Sequence, residues 1–232
     1  MNMQQEHTLV PTKNYDLMMR WSNYAREKKK LVLLIAQNGY GKTSFLTEYS
    51  RLHPGSMYFR VGKGEPAKRF YSRFLCELDN DGNYDIDRLT KYSYIYYLMD
   101  SASYIINERK DIDLLMIDEF GNFTKNYVSY IRQIWDETQH RAGMILAGPP
   151  SVLKDLIQWQ KKEDQGINEL LSRVGPNKLI LKKSDRHDIK LICESRGIYL
   201  EKEINYFYKK SPDLRILHAL IDNYKEAELI VS

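Results

Sequence analysis

A lysine followed by a hydroxyl residue, Lys42-Thr43, closes the stretch LVLLIAQNGYGKT at 31–43. Residue types in this order suit the binding of a phosphate chain. Gly39 and Gly41 let the backbone curl, and the main-chain N–H groups of Asn38, Gly39, Tyr40, Gly41, Lys42, Thr43 and Ser44 can then point inward at an anion. The lysine would reach the β and γ phosphates of a nucleoside triphosphate, and the Thr43 hydroxyl would ligate magnesium. A first glycine belongs at the start of such a loop, but Ala36 stands there, with less backbone freedom. A second set of chemical groups ends the run Asp113-Leu-Leu-Met-Ile-Asp-Glu-Phe. Asp118 would hold the cation, and Glu119 would orient and polarise a water for attack on the terminal phosphate. Read plainly, a Gly-Lys-Thr triplet can arise by chance and two carboxylates can simply solvate a strand end. The two motifs occurring together, each after an apolar run, favour nucleotide chemistry.

Groups that must meet in space need elements to carry them. Leu31–Ile35 and Leu114–Ile117 are continuous apolar runs, as expected of parallel strands buried on both faces. Such strands deliver their C-terminal residues to the sheet edge where open α/β folds bind ligands. Further strands are expected at Met57–Val61, Gly143–Gly148 and Asn177–Leu181, alternating with helices over 15–30, 43–50, 68–78, 88–108 and 124–139. In the first helix Leu17, Met18, Trp21 and Tyr24 are expected on the buried side. The tyrosines of KYSYIYYLMD at 91–100 read as lining a helix against the core, with stacking on nucleic-acid bases as the alternative. From Ser184 onward the pattern is helical only, with Ser184 or Asp185 as a cap, Gly197 as a stop, and helices near 200–209 and 212–228. The expected fold class is therefore α/β, a P-loop core with a parallel sheet flanked by helices over 1–183, followed by a small all-helical lid over 184–232.

Composition sets bounds on this reading. The chain has 232 residues, 43% hydrophobic and 28% charged, which suffices for one α/β core and a small appendage. No segment approaches the roughly 20 apolar residues of a membrane span, so no membrane partner is expected. The polar lead MNMQQEHTLVPTK lacks the apolar segment of a secretory signal, and Cys76 and Cys193 show no metal-ligand spacing. A cytoplasmic protein with two free thiols is the simplest expectation. The net charge of +4 permits a nucleic-acid partner without requiring one.

A five-stranded nucleotide core followed by a helical lid resembles the AAA+ ATPases. That resemblance implies roles for further residues. Arg173 in Glu169-Leu-Leu-Ser-Arg-Val would be an arginine finger that reaches the γ-phosphate of a neighbouring subunit, the plain alternative being a surface helix arginine. Arg215 in Ser211-Pro-Asp-Leu-Arg-Ile-Leu is similar to the sensor-2 arginine. Gly143-Met-Ile-Leu-Ala-Gly-Pro-Pro looks like the sensor-1 strand, although Ala147 and Gly148 replace the usual polar residue. Within AAA+ proteins the chain is similar to the DNA-transposition ATPases, typified by the phage Mu B protein and its Tn7-type relatives. The segments carrying this likeness are Val10-Pro-Thr, VLLIAQNGYGKT, LLMIDEF, ILAGPPSVLKDL and LRIL. The helix-turn-helix domain found ahead of the core in some relatives is not expected here.

The resemblance implies an ATPase using ATP and Mg2+ that forms an ATP-dependent homo-oligomer or helical filament on double-stranded DNA. It would mark a target site and stimulate a transposase. DNA contacts would be to phosphates, independent of sequence, with Lys63, Lys68, Arg69 and Arg73 as candidates. Two alternatives stay open: a helicase-loading or replication-initiation ATPase, and a P-loop signalling module that does not bind DNA.

Overall fold

The computed structural model describes residues 9–79, 81–162 and 165–231. The polar lead of residues 1–8 lies outside that range, so the reading of it as a non-signal segment has no structural counterpart. Five strands, β1 (Leu31–Ile35), β2 (Ser56–Arg60), β3 (Leu114–Asp118), β4 (Gly143–Gly148) and β5 (Lys178–Ile180), form one parallel sheet in the order β2-β3-β4-β1-β5. β1, β3 and β4 are buried along their whole length. Their uninterrupted apolar runs follow from having a layer of helices on each side.

The two layers divide the strand residues by parity. Leu31, Leu33 and Ile35 face the larger layer, with α3 (Ala67–Leu78), α4 (Ile86–Tyr92), α5 (Ile95–Glu108), α6 (Lys125–Thr138), α7 (Pro150–Gln160) and α8 (Gln165–Val174). Val32, Leu34 and Ala36 face α1 (Lys13–Lys28) and α2 (Lys42–Leu52). Side chains alternate across a strand, so each strand contributes to both cores.

Three expectations need correction. The helix expected over 88–108 is two helices, broken where Ser93 and Tyr94 take extended backbone. At about 100° per residue, Leu89 would sit roughly 180° from Leu98 on one continuous helix. The break lets both bury against the same core. It also leaves Tyr92, Tyr94, Tyr96 and Tyr97 exposed, so these tyrosines do not line the core; only Leu98 and Met99 of that stretch are buried. In α1 the buried stripe is Asn14, Met18, Ser22 and Ala25, whereas Leu17 and Tyr24 are exposed and Trp21 is half-buried. The reason is close approach. The Ala25 carbonyl lies where a side chain on Gly143 would have to go, and only small residues let α1 cross β4 so tightly.

α9 (Arg186–Ser195), α10 (Glu201–Lys210) and α11 (Leu214–Val231) follow β5 and share a small core of Ile189, Ile192, Ile198, Ile204, Phe207, Leu217 and Ile221. Asp185 caps α9 with a capping box that also uses Asp188. Val10 packs on this core, Lys13 donates its N–H to Asp188 Oδ1 at 2.9 Å, and its ammonium pairs with Asp185. The lead into α1 thus ties the C-terminal helices to the sheet. Cys76 and Cys193 are free thiols on α3 and α9. No helix among the described residues is long and apolar enough to cross a membrane.

Candidate nucleotide site

Parallel strands place the ends of β1 and β3 on one edge of the sheet, with the end of β4 between them. The chain leaves β1 at Ala36, turns through Gly39 and Gly41 with φ of +80° and +87°, and enters α2 at Lys42. Ala36 is fully buried and does not have a positive φ, so the position expected to want glycine has no need of one here. Its carbonyl accepts a hydrogen bond from Lys42 Nζ at 2.7 Å, and the Gln37 carbonyl accepts another at 3.2 Å. Burial pushes the Lys42 ammonium below its ordinary value, while the charges of Asp118 and Glu119 act in the opposite sense. Two neutral carbonyls therefore hold a buried cation for which a phosphate would be a stronger partner.

Asp118 has no solvent exposure. A buried carboxylate is costly unless its oxygens are satisfied, and here both are. Thr43 Oγ1 donates to Oδ2 at 2.6 Å, the Tyr58 hydroxyl donates to the same oxygen at 3.1 Å, and the Glu119 N–H donates to Oδ1 at 2.8 Å. Burial first, and then the charge of Asp118, push the Tyr58 phenol up to about 12. Glu119 itself sits in the left-handed region at φ +56°, a placement that costs on the order of 1–3 kcal/mol for a non-glycine residue. That turn sends its side chain out of the sheet, where Oε1 lies 3.7 Å from Arg60 Nη2.

The paired oxygen donors also test the fit of a metal. A hydroxyl and a carboxylate in contact at the head of α2 are hard ligands suited to Mg2+, which takes few protein ligands and completes its shell with phosphate oxygens and water. The residues fit that ion.

A cleft of about 640 Å³ opens over this loop. Asn38 through Ser44 form its floor, Leu9, Val10 and Met18 one wall, and Ile192, Arg196, Arg215 and His218 of the C-terminal helices the other, with Glu119 at the rim. Apolar surface on one side and a phosphate loop on the other suit a base at one end and a phosphate chain at the other. The C-terminal helices touch the loop directly. The Leu214 N–H donates to the Gly39 carbonyl at 3.0 Å, and a Cβ on Gly39 would lie 2.6 Å from the Asp213 side chain.

The sequence-derived candidates fall into three groups. Asn38, Gly39, Tyr40, Gly41, Lys42, Thr43, Ser44, Glu119 and Arg215 line one cleft, and Asp118 joins them through Thr43. Arg173 does not line it: on α8, it holds Asp136 of α6 with contacts of 3.0 and 3.3 Å. Lys63 and Arg73 line a second cleft of about 600 Å³ beyond Glu119, together with Arg60, Gly62, Glu65 and Asn122. Arg73 is engaged by Glu65 at 3.3 Å, by Glu77 at 2.7 Å and by the Arg60 carbonyl at 2.6 Å. Arg69 lies 3.4 Å from Asp87, and Lys68 Nζ lies 3.4 Å from the Lys91 carbonyl.

Gly148, at the place of the expected polar sensor, has its own explanation. A Cβ there would come within 2.7 Å of Val152 on α7, so no larger residue fits without moving that helix. Tyr58, Arg60, Val10, Arg196 and His218 were not anticipated as site residues. Their positions depend on strand register and on how the C-terminal helices fold back, for which a single sequence holds no local signal.

A family profile described as an AAA domain matches residues 25–156. Among curated proteins none matches. Solved structures with a similar fold include the Aeropyrum pernix ORC1 protein in complex with DNA, at TM-score 0.62, 13% identity and coverage of 95% of this chain and 61% of that one. A replication initiator DnaA bound to AMPPCP and single-stranded DNA gives TM-score 0.60 and 15% identity, covering 94% of this chain and 63% of that one. AMPPCP-bound DnaA from Aquifex aeolicus gives 0.57 and 16%, with coverage of 92% and 60%. This chain thus spans about three fifths of the length of these structures, and at such identity the likeness establishes the fold.

Proposed function

The chain belongs to the AAA domain family, and from that premise we propose that it is an ATPase that binds ATP with Mg2+ and couples the bound state to assembly on DNA. The observation that carries this reading is the joined pair of Thr43 and Asp118 beside a buried Lys42, all beneath a cleft of nucleotide size. Lys42 would exchange its carbonyl partners for phosphate oxygens, and Thr43 and Asp118 would hold the ion. The ion would screen the charge of the β and γ phosphates. Glu119, turned out by its left-handed backbone, would orient a water, and Arg215 would reach the phosphates from the C-terminal side. Residues 184–232 would serve as the lid and 1–183 as the core. Arg173, facing away from its own cleft, would complete the site of a neighbouring copy, so hydrolysis would be weak in the monomer and raised by assembly.

The finer reading is a transposition regulator. ATP-bound copies would oligomerise on duplex DNA without sequence preference and recruit a transposase, with Lys63, Lys68, Arg69 and Arg73 toward the DNA. It rests on the resemblance carried by the P-loop, LLMIDEF, ILAGPPSVLKDL and LRIL segments. A second reading, helicase loading or replication initiation, is favoured by the names of the structural neighbours, an ORC1 protein in complex with DNA and a DnaA bound to single-stranded DNA. Fluorescence anisotropy with a labelled duplex and the matching single strand, each with Mg2+ and AMPPCP, ADP or no nucleotide, separates them. Triphosphate-dependent binding to duplex supports the transposition reading, and preference for the single strand supports the replication reading. Tight AMPPCP binding with no binding to either DNA would leave the signalling module, and no nucleotide binding at all would overturn the whole reading.

A further inference from the structure

Asp118 is held by three donors, and one of them comes from a residue that neither sequence motif contains. Tyr58 lies in β2, whose register sets Tyr58 beside Met116 and Arg60 beside Asp118. Paired residues of a parallel sheet share a face, so Tyr58 and Asp118 lie on the α2 side, one position diagonal to each other. A long aromatic side chain spans that diagonal. The ring packs half-buried against the core under α2, and the hydroxyl reaches Asp118 Oδ2 at 3.1 Å. Two hydroxyls from different elements, Thr43 of α2 and Tyr58 of β2, thus donate to the same oxygen of Asp118.

We propose that Tyr58 is a positioning residue that holds the Asp118 carboxylate in the orientation required to bind Mg2+ beside the nucleotide. The inference rests on the ATPase reading above. Its physical content is a division of labour between the two hydroxyls on Oδ2. Thr43 is itself a candidate ligand, so its hydroxyl is needed elsewhere once an ion is present. Tyr58 does not line the cleft, and its rigid ring, packed against the core under α2, would keep one donor on Asp118 in either state. A carboxylate with one fixed oxygen loses less freedom when it takes up an ion, and preorganisation of this kind appears as affinity.

The test is Tyr58→Phe, which removes one oxygen and leaves the ring. AMPPCP affinity is measured by calorimetry with Mg2+ and again with EDTA, and Mn2+ affinity of the ADP-loaded protein by electron paramagnetic resonance. The expected result is a loss of about tenfold in the Mn2+ affinity and in the Mg2+-dependent gain in AMPPCP affinity, the scale of one hydrogen bond to a charged group. AMPPCP affinity in EDTA and the thermal midpoint without ligand should stay close to those of the unaltered protein. In an Asp118→Asn background, Tyr58→Phe should have little further effect. Unchanged Mn2+ affinity in Tyr58→Phe would overturn the proposal, as would an equal loss with and without the metal, which would mark the hydroxyl as merely structural. If the unaltered protein takes up no AMPPCP, it is the ATPase reading that fails, and the two failures are distinguishable.

Discussion

The edge of the sheet carries two polar regions a few residues apart that are built on opposite plans. Around Asp118 the groups are buried or half-buried and committed: Lys42 to two carbonyls, and Asp118 to Thr43, Tyr58 and the Glu119 amide. On the slope beyond β2 the basic side chains lie near or at the surface and are neutralised one by one, Arg73 by Glu65 and Glu77 and Arg69 by Asp87. Lys63, in the turn between β2 and α3, makes no ion pair among the described residues. The first region can only exchange one set of strong partners for another. In the second, an exposed pair such as Arg69–Asp87 is worth about 0–1 kcal/mol, so a phosphate backbone could displace that carboxylate at small cost. Under the proposed function, the contrast teaches that a site which must discriminate is satisfied in advance, whereas a surface that only needs to attract can keep its charges paired until a polyanion arrives.

The strongest way to break this contrast is Arg173→Ala. If the Arg173–Asp136 pair is exchanged for a neighbour's phosphate on assembly, DNA-stimulated turnover should fall by roughly 10³ or more, while AMPPCP affinity of the monomer stays put. Steady-state phosphate release with and without DNA measures both arms, and full stimulation in the variant would return Arg173 to the surface class. Next in size is Glu119→Gln, for which hydrolysis should drop by about 10² to 10⁴ with nucleotide binding retained. A single-turnover assay with labelled ATP checks it, and unchanged cleavage would remove Glu119 from the reaction. A smaller effect is expected on the slope. Lys63→Ala should reduce the salt dependence of DNA binding by about one charge, and Arg73→Ala by less, because Arg73 already spends its charge on two carboxylates. Anisotropy titrations over a salt series rank the two, and a larger change for Arg73 would reverse the assignment.

The smallest effect belongs to the tie between α1 and the C-terminal helices. The hydrogen bond from Lys13, followed by that from the Asp188 amide, holds Asp185 below the usual carboxylate range, and Asp185 in turn raises the Lys13 ammonium. A depressed carboxylate contributes stability above its unfolded value and loses it as pH falls through the folded one. The raised lysine loses its share only when pH climbs past its own elevated value. Thermal midpoints of the unaltered protein and Lys13→Ala should therefore differ most near neutrality and converge below about pH 4. A gap that widens on acidification would show that the pair is not what joins these elements.

Much of the site was legible because its parts are contiguous in the chain. The P-loop and the β3 carboxylates each follow an apolar run that can only be a buried strand, so type, order and edge could all be read. Ala36 departs from the usual glycine, and its backbone needs no positive φ. The tyrosines at 92–97 were misread because their spacing suits a helix face equally well whether that face meets the core or solvent. Only the break at 93–94, set by how Leu89 and Leu98 reach a common core, decides between them. The face of α1 was misjudged for a related reason: hydrophobic size favoured Leu17 and Tyr24, but the approach to β4 selected small residues. Tyr58 and the wall formed by Ile192, Arg196 and His218 come from tertiary pairing, which leaves no periodic trace in one sequence.

The bond from the Leu214 amide to the Gly39 carbonyl is made by main chain alone. Substitution of the surrounding side chains leaves its donor and acceptor in place, whereas proline at 214 abolishes the donor and a side chain at Gly39 would meet Asp213. The rear helices and the anion loop therefore share a main-chain rivet, open to substitution chiefly at these two positions. Under the proposed function, a phosphate chain that shifted the loop would pull directly on the first turn of α11.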